Sequence, residues 1–360
     1  MKILAGPDNW SFLTAYLAKG LAHHDTRVFV EGPKPEIDDP RRLYFQHPHA
    51  RFQDVLAQLP RGWEPDLVIW WLPEFQAVLP GIEDCPYPTL VLISDWHVMS
   101  DPLRSLAPLF DLVATDRWGL SRLQGVQGPA IFEGPLYGFD PEQHRRLPEQ
   151  PLTWDVSHVG DLHPYLQDRR VRDLTRVSQA LGSQYKVGIF EGVFGDEYTR
   201  LLNQSRITIH RSLRGEMSMR CYEAPACGSL LFCEDSNEST RQVLEDRRHC
   251  VYYNDDNLIE LLGYYLEHEE ERARLAQAGY EKIQDYSYAR QADRLLKQAQ
   301  ELLASRPRTP RPKTDLLNYW GHVHNPRHMP LLAFAQSHLA VQRHPNDPAV
   351  WNIRGCVQAR

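Results

Sequence analysis

Two doubly wound α/β halves in tandem, followed by a helical segment, are the fold class this 360-residue sequence predicts. Three observations carry that reading. Short apolar runs alternate with amphipathic stretches through the first 140 residues, the pattern of buried parallel strands separated by helices. The alternation breaks at Tyr137-Gly138-Phe139-Asp140-Pro141 and a polar stretch to Pro151, and then it restarts. Beyond residue 256 it gives way to almost continuous helical sequence as far as 304. The length leaves room for two core-bearing domains and an appendage.

In the first half, strands are expected at 2–6, 27–31, 66–71, 89–94, 111–115 and 129–133. Each is apolar and most are bounded by Gly, Pro or Asp. Helices are expected between them, at 10–23 and 51–59 among others. In the second half, strands are expected at 155–160, 185–190, 206–210, 229–233 and 250–253, with helices at 166–181, 196–204 and 217–226. Two such halves, 1–140 and 141–305, would face a cleft. In open α/β sheets ligands lie beyond the carboxyl ends of the strands.

Arg306-Pro307-Arg308-Thr309-Pro310-Arg311-Pro312-Lys313 reads as a semi-rigid linker over 306–314, with a PxxP ligand or a phosphate-binding arm as the other readings. After it, Leu317-x3-Gly321 and Trp351-x3-Gly355 stand 34 residues apart, the tetratricopeptide period. A helix at 332–341 and the turn Arg343-His344-Pro345-Asn346-Asp347-Pro348 between them resemble that repeat. The segment 315–360 is therefore expected to be a partial tetratricopeptide-like unit. One such repeat cannot bury its own face, so the chain is expected to be a fragment of a longer protein.

The composition is that of an ordinary globular protein, with 42% hydrophobic and 24% charged residues. A net charge of −7 argues against a general nucleic-acid binder. Cys85, Cys221, Cys227, Cys233, Cys250 and Cys356 contain no CxxC pair, and they read as small buried thiols of a reducing compartment. The amino terminus reaches its Gly-Pro turn too early for a signal peptide, and no segment approaches the roughly 20 apolar residues of a membrane span. A cytoplasmic location is expected.

Chemistry concentrates in Gly215-Glu216-Met217-Ser218-Met219-Arg220-Cys221-Tyr222-Glu223-Ala224-Pro225-Ala226-Cys227-Gly228 and the apolar run Ser229-Leu230-Leu231-Phe232-Cys233. A loop enters a short helix bearing one carboxylate, the helix ends at a glycine, and a buried strand follows. With Val159-Gly160-Asp161-Leu162, Gly192-Val193-Phe194-Gly195 and the 269–279 stretch, this segment resembles the C-terminal domain of the CgeB-like glycosyltransferases of the GT-B class, over roughly 154–303. The first half matches that class only in general pattern.

The resemblance implies a nucleotide-sugar donor, a UDP-sugar by default with GDP- or dTDP-sugars as alternatives, and no cofactor or metal beyond it. Glu223 would accept both ribose hydroxyl hydrogens, and Arg220 would stabilise the leaving diphosphate. Many retaining members carry a second glutamate eight positions earlier. Here that position is Gly215, and Glu216, seven before Glu223, is the nearest candidate for the donor sugar. The amides between Gly215 and Ser218, including Met217, would otherwise hold the diphosphate at a helix N-terminus. Gly160 would let backbone approach the ligand, Arg169 and Arg170 would help with its charge, and Val193 and Phe194 would contact the base. His210, with Arg211, ends a strand on the same edge.

In the first half, His97 is the expected general base for an acceptor hydroxyl, with Asp95 as orienter or substitute. Gly6, Asn9 and Trp10 resemble an acceptor loop. The tetratricopeptide-like segment points to a protein or peptide acceptor. His322, His324 and His328 are a metal-spaced triplet without a carboxylate pattern. Two rival readings keep the fold: a non-catalytic nucleotide-sugar-binding module, favoured by Gly215, and a sugar-nucleotide epimerase or phosphorylase. Neither Lys186 nor Lys282 sits in a pyridoxal phosphate setting.

Overall fold

The computed structural model describes residues 1–8, 17–35, 39–46, 50–163, 166–313, 316, 319–320, 330–348 and 350–351. They fall into two compact units, one of residues 1–136 with 292–360 and one of 137–291.

The first unit carries a parallel sheet of seven strands: β1 (Lys2–Asp8), β2 (Asp25–Glu31), β3 (Arg42–Phe45), β4 (Leu67–Trp71), β5 (Thr89–Ile93), β6 (Leu112–Thr115) and β7 (Ala130–Glu133). Their order is β3-β2-β1-β4-β5-β6-β7. β4 and β5 are buried at every residue, as central strands covered on both faces require. The two-residue period sends Trp70 and Trp71 to opposite faces. Trp70 packs with Phe29 and Phe52 in one layer, and Trp71 lies with Ile3, Ile69 and Leu295 in the other. Each indole N–H is satisfied, Trp70 donating to Gln76 O at 3.2 Å and Trp71 to Pro7 O at 2.8 Å.

The second unit holds β8 (Trp154–Val159), β9 (Val187–Phe190), β10 (Ser205–His210), β11 (Leu230–Glu234) and β12 (Val251–Tyr253), all parallel, in the order β12-β11-β10-β8-β9. Helices Asp168–Leu181, Gly195–Asn203 and Met219–Ala226 connect consecutive strands from β8 to β11. The strand order reverses between β8 and β10, and that crevice is where such sheets bind ligands.

All eleven expected strands are present within two residues of the expected ends. β3 was not expected, because four residues beginning with Arg42 at a sheet edge carry little apolar signal. The expected helical run of 256–304 is three helices, Leu258–Glu267, Glu269–Ile283 and Tyr288–Ser305. The division expected at 140 and 305 falls at 136 and 291. From Ala292 the last of these helices belongs to the first unit, where Leu295, Leu296 and Ala299 join the core layer of Trp71.

The expected linker is a strap bolted to the first unit. The Arg311 guanidinium donates to Asp111 Oδ2 at 2.7 Å and to the carbonyls of Ile82 and Tyr87 at 2.9 Å each. Arg308 donates to Pro86 O at 2.6 Å and Tyr87 O at 3.0 Å. Leu316 and Tyr319 then enter the core. The Tyr319 hydroxyl donates to Pro73 O at 2.8 Å and accepts from Val78 N at 3.0 Å. A helix covers Pro330–Arg343, around the expected 332–341. Asn9, Trp10, Leu317, Gly321, His322, His324, His328, Gly355 and Cys356 lie outside the described residues. Among the described residues no helix is long and apolar enough to cross a membrane. Cys85, Cys221, Cys227, Cys233 and Cys250 are buried free thiols.

Candidate functional site

The carboxyl ends of β8 and β10 place four basic side chains together. His158 is fully buried, and its Nδ1–H donates to Ile209 O at 2.9 Å, while Nε2 has no partner. His210, also fully buried, accepts at Nδ1 from Arg220 Nη1 at 3.1 Å, and its Nε2 lies 3.5 Å from Ser218 Oγ. Burial, and then the Arg220 charge, push both imidazoles well below the ordinary histidine range, so both rings are neutral at physiological pH.

Arg220 stands in the first turn of the helix Met219–Ala226, part-exposed, with Nε unpartnered. Its Nη2 lies where a Cβ on Gly160 would be, 2.1 Å away. A side chain at Gly160 would therefore meet the guanidinium, at a backbone φ of +153°. Arg170 closes the group from the helix Asp168–Leu181. It donates to Arg211 O from Nη2 and Nε at 2.6 and 3.1 Å, and to Asp161 O from Nη1 at 2.8 Å. These partners are carbonyls, so no direct ion pair meets its charge, while the carboxylates of Asp161, Glu216 and Glu234 act on it from further off. Burial, then Arg220, push Arg170 down to about 10. Two guanidinium groups held near each other, with neutral imidazoles beside them, make a positive site that an anion would relieve.

Of the expected residues, Arg220, Gly160, His210 and Ser218 meet here. Arg169 does not: its side chain is exposed, and Arg170 is the one turned inward. Arg211 also faces away, in an ion pair of 2.5 Å with Asp173 and another of 2.5 Å with Asp255. Met217 is 7% exposed and packs with Phe139 and Tyr222, so its side chain belongs to the core. Glu216 accepts from the amides of Leu213 at 3.0 Å and Arg214 at 2.7 Å, closing the loop before the helix. Glu234 does the same for Ser212, accepting its amide at 2.9 Å and its hydroxyl.

Glu223, expected on ribose, is 4% exposed. Its Oε2 accepts the Tyr198 hydroxyl at 2.8 Å, and Oε1 lies 3.5 Å from His144 Nε2. Tyr198 stands in the helix Gly195–Asn203, one turn beyond Phe194, which caps that helix and is 60% exposed. An exposed aromatic at a helix entry offers a stacking face. Val193 beside it is half-buried.

In the first unit, Asp95 and His97 follow β5, with His97 Nδ1 3.8 Å from Asp95 Oδ1 and both side chains about 30% exposed. Beneath them lies Glu74, 2% exposed. Its Oε1 accepts from Ser94 N at 3.0 Å, Ser94 Oγ at 2.7 Å and Asp95 N at 2.9 Å, while Oε2 is buried without a partner. Burial, then Asp95, raise the Glu74 carboxyl to about 7. Gly6 is interior to β1, where a Cβ would sit 2.5 Å from Phe29 O, so packing explains it. Glu74, Tyr198, His144 and His158 were not singled out from the sequence. The one signal was Glu74, a lone charge just past an apolar strand.

Among the described residues, two groups bring three metal-ligating atoms within 4.8 Å of one another, His210-Cys221-Cys233 and His23-His24-Asp293. The first does not suit a cation. Arg220 already donates to His210 Nδ1, and burial pushes the Cys233 thiol well above its usual range.

A family model described as glycosyl transferase-like matches residues 168–297, which include Arg170, Tyr198, His210, Arg220 and Glu223. No curated protein matches the chain. Solved structures of similar fold include Anabaena Alr3699/HepE in complex with UDP and glucose, at 16% identity and TM-score 0.57, covering 85% of this chain and 100% of that one. Sucrose-phosphate synthase from Thermosynechococcus elongatus, at 12% identity and TM-score 0.56, covers 85% and 99%. AviGT4, a glycosyltransferase involved in avilamycin A biosynthesis, has 15% identity, TM-score 0.50 and coverage of 85% and 99%. The fold is that of the GT-B glycosyltransferases, and with the family match it supports a GT-B glycosyltransferase.

Proposed function

We propose that the protein transfers a sugar from a nucleotide-sugar, a UDP-sugar first among them, to an acceptor hydroxyl without a metal. The observation that carries the reading is the pair Arg170 and Arg220 at the strand-order reversal, since two guanidinium groups there without a direct ion pair fit a diphosphate. HepE, of the same fold, binds UDP-glucose, which favours that donor. In this reading Arg220 takes the leaving diphosphate, the Phe194 ring receives the base, and Glu223 receives the ribose once Tyr198 yields its place on Oε2. His97, with Asp95 beside it, deprotonates the acceptor. A protein or peptide acceptor, recruited by the tetratricopeptide-like segment, and a cytoplasmic setting complete the proposal.

Titration of the purified chain with UDP and with uridine tests it. Arg220→Ala should weaken UDP by roughly 10- to 100-fold, the worth of a charged hydrogen bond or two, and leave uridine unchanged. Equal UDP affinity in wild type and variant would remove the diphosphate role. Glu216 supports a second reading, because the amides of Leu213 and Arg214 already occupy it and Gly215 supplies no carboxylate. A nucleotide-sugar-binding module without turnover would follow, and multiple turnovers on any acceptor exclude it.

A further inference from the structure

Far along the chain from the transferase site, His23 and His24 precede β2, and Asp293 lies near the start of the helix Tyr288–Ser305. His23 Nε2 lies 2.8 Å and His24 Nε2 3.1 Å from the same oxygen, Asp293 Oδ1. The two rings stand side by side, centroids 4.1 Å apart. Three atoms of the types that ligate late first-row metals therefore converge on one point from segments about 270 residues apart in sequence. The two histidines line a hollow of about 570 Å³, together with Lys2, Asp25, Glu64 and Asp66 among others. Strands β1 and β2 begin at this edge, opposite to the one that carries Asp95 and His97.

We propose that His23, His24 and Asp293 form a three-ligand site for a divalent transition metal, zinc foremost, with its open coordination positions facing the hollow. With metal–ligand distances near 2.0–2.1 Å, neighbouring ligands of a tetrahedral ion stand about 3.3 Å apart, so the two spacings to Asp293 Oδ1 need to open by only a few tenths of an ångström. Each imidazole would give Nε2 to the metal and carry its proton on Nδ1. The ion would pin the start of the helix Tyr288–Ser305 to the turn before β2. The role is structural, and the inference stands independently of the transferase reading.

The full-length protein, stripped with chelator, is titrated with Zn²⁺ and with Co²⁺. One equivalent of zinc should bind with a Kd at or below about 10 μM, raise the unfolding temperature, and give a cobalt visible band. Asp293→Asn and His23→Ala, both at half-exposed positions where folding is not at risk, should each weaken zinc at least about tenfold. UDP affinity should not change on chelation. No zinc binding would overturn the proposal. So would binding that survives both substitutions and disappears when His322, His324 and His328 are all replaced by alanine.

Discussion

At the scale of single residues, the donor site turns on where two guanidinium groups go when carboxylates are withheld from them. Arg170 is tied to carbonyls and Arg220 to an imidazole nitrogen, so neither charge is cancelled by a direct ion pair, whereas Arg211, next to His210 in sequence, is paired twice. Gly160 is the quiet partner. A methyl group there would meet the Arg220 guanidinium at a backbone φ of +153°, and Gly160→Ala should weaken UDP by displacing that guanidinium. UDP binding at wild-type strength in Gly160→Ala would show that the guanidinium has another productive position. Glu223 makes a different case, since its carboxylate already serves Tyr198. Tyr198→Phe should leave that carboxylate open and tighten UDP a few-fold, and Glu223→Gln should weaken it about tenfold, each read by calorimetry. If both leave UDP within twofold but lower the unfolding temperature, Glu223 is a brace for the helix Gly195–Asn203 and not a ribose ligand.

At the scale of elements, the loop after β5 is organised from below by Glu74. Three donors converge on one oxygen of a buried carboxyl whose other oxygen has no partner. A carboxyl raised to about 7 in the folded state, against an ordinary value near 4.5, favours folding most fully when it is protonated. Its contribution is therefore complete below about pH 4.5 and is lost as the pH rises through 7. Glu74→Gln keeps an acceptor for Ser94 and Asp95 and cannot ionise. It should be more stable than wild type at pH 8, by something on the order of 1–3 kcal/mol, with the difference shrinking toward pH 5. Parallel denaturation curves for the two proteins across that range would place the ionisation elsewhere. The expected base, His97, was legible because it follows the cleanest strand in the sequence. Glu74, which holds its loop, lies 20 residues before Ser94 and comes into reach only across the sheet.

At the scale of the whole molecule, the strap after residue 305 changes what the carboxyl-terminal segment is for. Arg311 and Asp111 are 4% and 6% exposed, and a buried pair broken on one side typically costs about 3–5 kcal/mol. Arg311→Ala should lower stability by that order, and removal of residues 314–360 should lower it again by uncovering the seats of Leu316 and Tyr319. Unfolding curves unaffected by both changes would restore the free linker. Every strand but β3, and the glycine-ended helix at Met219, were readable from sequence, because apolar period, chain length and turn residues act locally, within a few residues of one another. Strand order, the inward turn of Arg170 in place of Arg169, the burial of Glu223 under Tyr198 and the return of Asp293 to His23 and His24 were decided by tertiary structure. Each depends on which distant side chain comes to lie within about 3 Å, and hydrogen bonds and charge pairs act only at that range, whatever the separation along the chain.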